Sequence, residues 1–183
     1  MKDQKAIWEA FKKIDLSQRK AALATVVRVR GSSYRSPGAR MLITDDGKWV
    51  GSISGGCLEG DALRKARQVM SDNRPFTVTY DTREGSNQNL GIGLGCNGVI
   101  DVLIEPIEMA DQRNPISILE QILSRKEPVG LATVFNSEQH TGEKLLVSAS
   151  KETIIEFSDP ELNAIVIPDL SAIFESHRSE VKE

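Results

Sequence analysis

Both cysteines of this chain sit among glycines, in Gly55-Gly56-Cys57 and in Gly95-Cys96-Asn97-Gly98. A thiol flanked by residues without bulk is open to close approach, and its thiolate form attacks electrophiles and binds soft metals. Around the first cysteine, Gly51-Ser52-Ile53-Ser54-Gly55-Gly56-Cys57-Leu58-Glu59-Gly60 follows a short apolar strand and opens a helical pattern that runs on to Met70. A strand that passes through paired glycines into a helix leaves backbone N–H groups free at the helix start. With the positive end of the helix dipole, those groups form an anion site, and glycine permits the positive φ that such a turn needs. Read as part of the first helical turn, Cys57 would have its thiolate favoured by the same field. The alternative is a tight turn with a buried, inert cysteine, and on this stretch alone both remain open.

The charge pattern favours a small anionic guest. Between Asp15 and Asp45 there is no acidic residue, while Arg19, Lys20, Arg28, Arg30, Arg35 and Arg40 all fall there. The chain as a whole carries a net charge of −3, which argues against a general nucleic-acid binder. The other explanation of this cluster is a solvated basic face that docks an acidic partner. Two glycine-set thiols beside an arginine-rich loop suit a ligand with a phosphate and a soft centre.

Other chemistries fit less well. His140 lies in a polar loop and His177 in a charged terminal helix, neither near a cysteine in sequence. No paired spacing of zinc ligands occurs. Glu59 and Asp61 are most simply read as complements to the helix N-terminus. Gly91-Ile92-Gly93-Leu94-Gly95 resembles a dinucleotide loop but precedes a strand, where that fingerprint requires a helix.

The elements that must position these residues can be read from periodicity. Residues 4–14 carry Ile7, Trp8, Phe11 and Ile14 at helical spacing. Ala21 to Arg30 alternates as a strand, with Leu23, Thr25, Val27 and Val29 on one face and Ala24, Val26, Arg28 and Arg30 on the other. Ala39 to Thr44 and Lys48 to Ser52 form a hairpin across Asp45-Asp46-Gly47. A helix from Cys57 to about Ser71 follows, then strands at Phe76–Tyr80 and Val99–Ile104.

The remainder reads as a degenerate copy of this order. Leu23-Ala24-Thr25-Val26 recurs as Leu131-Ala132-Thr133-Val134, and Met41-Leu42-Ile43 as Leu145-Leu146-Val147. Aligned on those strands, Gly55-Gly56-Cys57 falls opposite Asp159-Pro160-Glu161, an ordinary helix start with Asp as N-cap and Pro at N1. The expected class is α/β: a mixed sheet flanked by helices, built as a helix–strand–hairpin–helix pseudo-repeat. Chemistry is expected in residues 1–106, and residues 107–183 form the worn copy. The copy stops where its next strand would begin, so a further C-terminal domain is expected beyond this chain.

At 183 residues with 39% hydrophobic residues, the chain has the size and composition of a soluble globular domain. No signal peptide or membrane-spanning run is read, and two isolated cysteines make no disulfide framework, so a cytoplasmic protein with reduced thiols is expected.

Three blocks carry a resemblance: Gly31-Ser32-Ser33-Tyr34-Arg35-Ser36-Pro37-Gly38-Ala39-Arg40-Met41, Gly51 to Glu59, and Gly93-Leu94-Gly95-Cys96-Asn97-Gly98. In that order they resemble the signature blocks of the XdhC/CoxI family, over about residues 1–106. The resemblance implies a maturation factor for xanthine-dehydrogenase-type molybdenum hydroxylases rather than an enzyme. Such a factor binds the molybdenum cofactor, molybdopterin, as cargo, protects it, assists its sulfuration with a cysteine desulfurase and delivers it to the target molybdoenzyme. It also implies a C-terminal Rossmann-like domain. Carried onto this chain, Arg35, Arg40 and the N–H groups around Ser54, Gly55, Gly56 and Cys57 hold the cofactor phosphate. Cys57 and Cys96 face the metal–dithiolene end, and Gly95, Asn97 and Gly98 are further cofactor-binding residues. The third block departs from the family's usual Cys-Gly-Gly at Asn97, and Tyr34 stands where proline is frequent. A cysteine-dependent oxidoreductase or sulfurtransferase using Cys57, and a pure docking module, are the other classes. A homodimer is one option for the assembly.

Overall fold

The structure is a computed structural model that describes residues 2–83, 97–176 and 178–182. It divides into two compact units, Met1–Leu119 and Glu120–Glu183.

The first unit contains α1 (Lys2–Phe11), β1 (Ala21–Gly31), β2 (Arg40–Thr44), β3 (Trp49–Gly51), α2 (Glu59–Asp72), β4 (Phe76–Asp81) and β5 (Gly98–Pro106). Its five strands are ordered β3-β2-β1-β5-β4. The α/β class is as expected, and the strand directions narrow it. Each pairing is antiparallel, where a mixed sheet was expected. The hairpin across Asp45-Asp46-Gly47 forms, closed by the Gly47 amide donating to the Thr44 carbonyl at 2.9 Å. α1 ends earlier than its apolar spacing indicated, because Lys13 and Ile14 bond three residues back, to Ala10 and Phe11.

β1 and β5 form the spine, paired from Ala22 opposite Pro106 to Gly31 opposite Gly98. One face of the sheet packs against α2: Ala22, Ala24, Val26, Ile100, Val102 and Ile104 meet Ala62, Ala66, Val69 and Met70. A break in register between Val26 and Arg28 leaves Val27 without a partner. An extra residue reverses the alternation of everything after it. Val29 therefore packs against the α2 core, while Arg28 turns to the opposite face and donates from Nε to Asp101 Oδ2 at 2.6 Å. This corrects the face assignment read from the sequence, in which Arg28 and Arg30 shared the side of Ala24 and Val26.

α3 (Pro115–Ser124) spans the division between the units. The second unit holds β6 (Val129–Thr133), β7 (Lys144–Ser148), β8 (Thr153–Ile155) and α4 (Pro160–Ser176). Its three strands are ordered β6-β7-β8, again antiparallel. Leu145, Val147, Phe157 and Leu170 form its core.

The internal bonding of the two units corresponds closely. In the first, the Val26 amide donates to the Ala39 carbonyl and the Gly38 amide to the Val26 carbonyl. In the second, Val134 does the same with Glu143 and Gly142. Asp159 caps α4 as expected, its Oδ1 accepting from the Glu161 amide at 2.8 Å.

Gly98 is where the first and third blocks touch. A Cβ there would lie 2.5 Å from the Ser32 carbonyl oxygen and 2.7 Å from that of Arg30, both of them backbone atoms. Gly98→Ala is therefore expected to destabilise the protein by about 1–3 kcal/mol, the usual cost of overpacking, read as a lower urea midpoint at unchanged slope.

Candidate functional site

The Gly55–Cys57 turn is anchored at both ends. Its chain leaves β3 with the Ser52 amide bonded to the Arg40 carbonyl at 3.1 Å. Ile53 and Leu58, both fully buried, then insert into the α2 core. Between these anchors Gly55 and Gly56 take φ of 125° and 120°, the left-handed conformations expected of paired glycines.

The turn does form an anion nest, and the anion in it is the protein's own. Glu59, the first residue of α2, reaches back and fills it. Its Oε1 accepts from Ser52 Oγ at 2.7 Å and from the amides of Ile53, Ser54 and Gly55 at 3.1, 3.0 and 3.3 Å. Its Oε2 accepts from Ser54 Oγ and from the amides of Gly56 and Leu58 at 3.0 and 3.2 Å. Burial works against the charge, yet the Ser54 and Ser52 hydroxyls and the Ser54 and Gly55 amides outweigh it and hold the carboxyl at about 2. Ser54 is fully buried, and the amides of Gly55 and Gly56 point inward. These three residues, expected to hold a ligand phosphate, donate to Glu59 here.

Cys57 is a free, half-buried cysteine packed against the α2 core. It precedes α2 rather than lying in its first turn. The amides on either side of it, of Gly56 and Leu58, both donate to Glu59 Oε2, so its main chain arches around that oxygen. No general base is hydrogen-bonded to it among the described residues; His140 is engaged with Glu143, Nδ1 to Oε1 at 2.9 Å.

The other two blocks meet this turn or each other. A Cβ at Gly55 would stand 3.5 Å from Cβ and Cγ of Tyr34, so this 66% exposed side chain lies against the turn. Arg35 donates from Nη2 to Asp3 Oδ2 at 2.7 Å, a solvent-facing pair of the weak kind. Ser32 and Asn97 are joined twice: the Ser32 amide to the Asn97 carbonyl at 3.2 Å, and the Asn97 amide to Ser32 Oγ at 3.1 Å. Gly95 and Cys96 lie outside the described residues.

Arg40 is not with the rest. Met41 and Ile43 face the α2 core, so alternation along β2 puts the Arg40 side chain on the opposite face. There burial pushes its guanidinium down and Glu105 pulls it back up.

Two charged centres were missed in the sequence. Asp101, 1% exposed, accepts from Arg28, Arg30 and Thr79 and gathers two arginines on the sheet face opposite α2. A lone carboxylate inside the apolar run Val99–Ile104 was the available signal. Glu59 itself was taken for a generic complement to the helix dipole. Its position, a few residues past paired glycines, is the pattern of a carboxylate folding back into its own nest.

The depressed carboxyl of Glu59 fixes the sign of a pH effect. Its stabilising contribution, on the order of 3 kcal/mol, is fully present above its unfolded value near 4.5 and is lost as pH falls toward about 2. Glu59→Gln is expected to be less stable than wild type by about 2–4 kcal/mol at neutral pH. The gap should narrow between pH 4.5 and 2 in parallel denaturant titrations.

Among the described residues, no helix is long and apolar enough to cross a membrane. Residues 16–81 match the model of the XdhC and CoxI family. A Bacillus subtilis protein named as a probable subunit of xanthine dehydrogenase is 33% identical over 120 residues, covering 66% of this chain and 36% of that protein. The molybdenum cofactor insertion chaperone PaoD of Escherichia coli is 34% identical over 116 residues, covering 63% of this chain and 35% of the relative. The chain thus spans about a third of the length of these curated relatives. A crystal structure described as a xanthine dehydrogenase from Bacillus halodurans superposes with a TM-score of 0.67 at 29% identity, over 86% of this chain and 46% of that one. The stretch that holds the Arg35 loop and the Glu59-filled turn lies within residues 16–81, the part that matches the XdhC and CoxI family model.

Proposed function

We propose that this chain is the cofactor-handling part of a maturation factor for a xanthine-dehydrogenase-type molybdenum hydroxylase. It receives the molybdenum cofactor as cargo, shelters it during sulfuration and passes it on. One observation carries the reading: the first block touches both of the others, Ser32 against Asn97 and Tyr34 against Gly55. The similarity to an insertion chaperone of Escherichia coli supports it.

In this reading the soft end of the guest meets Cys57 and Cys96, with Asn97 and Gly98 shaping the approach. Arg35 takes the phosphate, because its present partner Asp3 is an exposed carboxylate that a doubly charged anion outcompetes. Arg40, on the far face of the sheet, is left out, and the inward-turned amides of Gly55 and Gly56 serve the loop rather than the phosphate. A cysteine desulfurase and the target hydroxylase are the proposed partners, and a second copy of the chain is a further one.

The test is molybdenum and pterin content of protein purified anaerobically from a cofactor-producing host. Wild type is expected to retain both. Cys57→Ser/Cys96→Ser should retain at least about tenfold less, and Arg35→Ala also about tenfold less or lower, as for one charge-assisted contact of about 1.5–3 kcal/mol. A cysteine-free variant that carries as much cofactor as wild type would overturn the assignment of the thiols.

A further inference from the structure

The two halves of the pseudo-repeat supply an internal control on Glu59. Aligned on β2 and β7, Ile53 corresponds to Phe157 and Glu59 to Asn163. Asn163 reaches back as Glu59 does: its Oδ1 accepts from the Phe157 amide at 2.9 Å and its Nδ2 donates to the Phe157 carbonyl at 3.0 Å. A neutral amide with two bonds is therefore enough to tie this helix start to the segment before it. The first copy has the same tie, through the Ile53 amide, and adds a charge together with donors from Ser52, Ser54, Gly55, Gly56 and Leu58. The additional bonds all fall on the segment that contains Cys57, and the second copy has neither that cysteine nor the glycines.

We infer that Glu59 is the positioning residue of the site: a resident anion around which residues 52–58 close, shutting the nest to external phosphate and fixing Cys57 for the guest. The part concerning the guest rests on the function proposed above; the part concerning the nest does not. The physical reason is geometric. Both carboxylate oxygens are saturated by inward-pointing donors, so a second anion would have to displace a buried charge from all of them at once. The same donors leave the Cys57 backbone little freedom, because its neighbours on both sides are tied to one oxygen.

The experiment compares full-length wild type, Glu59→Gln and Glu59→Ala. In Glu59→Gln the amides of residues 53–56 and 58 are expected to exchange with solvent on the order of 100-fold faster, while β1 and β5 stay protected. Iodoacetamide should modify Cys57, followed on its own peptide by mass spectrometry, several-fold faster once the loop loosens. In Glu59→Ala, added formate should restore both protection and slow modification, which a general loss of stability would not do. Inorganic phosphate should leave the Gly55 and Gly56 amide resonances of wild type unmoved. Unchanged exchange in Glu59→Gln, or wild-type resonances that shift with phosphate, would overturn the inference. If Glu59→Ala does not fold, Glu59→Gln still decides the exchange and alkylation arms. Loaded in a cofactor-producing host, Glu59→Gln should carry about tenfold less molybdenum than wild type, consistent with about 1.4 kcal/mol. Equal loading would remove the link to the guest. A wild type that carries no molybdenum would instead sink the functional reading, and leave the exchange and formate results to judge the nest alone.

Discussion

An ionised carboxylate with almost no solvent contact is costly unless every lone pair is met, and Glu59 meets that condition with hydroxyl and amide donors from one short segment. The requirement runs in both directions. The segment needs an anion because its N–H groups converge, and the anion needs the segment because burial strips it of water. Positive φ at Gly55 and Gly56 is what lets consecutive amides point at one place. The position of Cys57 is a consequence of this closure.

A second charged centre organises the other face of the sheet. Asp101 sits in β5 between two core residues, and Arg28, Arg30 and Thr79 converge on it from β1 and β4. The irregularity at Val27 makes this possible. Without it, Arg28 would project into the α2 core, where an unpaired guanidinium could not be accommodated. Part of the positive charge that marks the sequence between Asp15 and Asp45 is thus used inside the fold, while Arg35, next in the chain to Tyr34, has a weak, exposed partner in Asp3.

The two units share part of their scaffold. Strand, hairpin and helix recur in order, with the same backbone bonds closing the hairpin entry at Gly38 and Gly142. What differs is the turn before the second helix. In one unit it is glycine-rich and wrapped around a carboxylate; in the other a Pro160 start is capped by Asp159 and tied by Asn163. The plain version suffices for folding, so the elaborate one is the place to look for chemistry.

Much of this was legible in the residues themselves. Helical and strand periodicity located nearly every element, because burial of one face imposes a period on the sequence. The glycine pair announced left-handed turns, and the repeat placed Asp159 as a cap. The blocks around Tyr34 and Cys57 lie in the stretch that matches the XdhC and CoxI family model. Periodicity is silent on single-residue irregularities, so the bulge that turned Arg28 and Arg30 away from the α2 core was invisible. A glycine-rich helix start says that an anion belongs there but not whose. Only the folded chain, in which a side chain a few residues away reaches the converging amides before any ligand does, decided that the anion is Glu59.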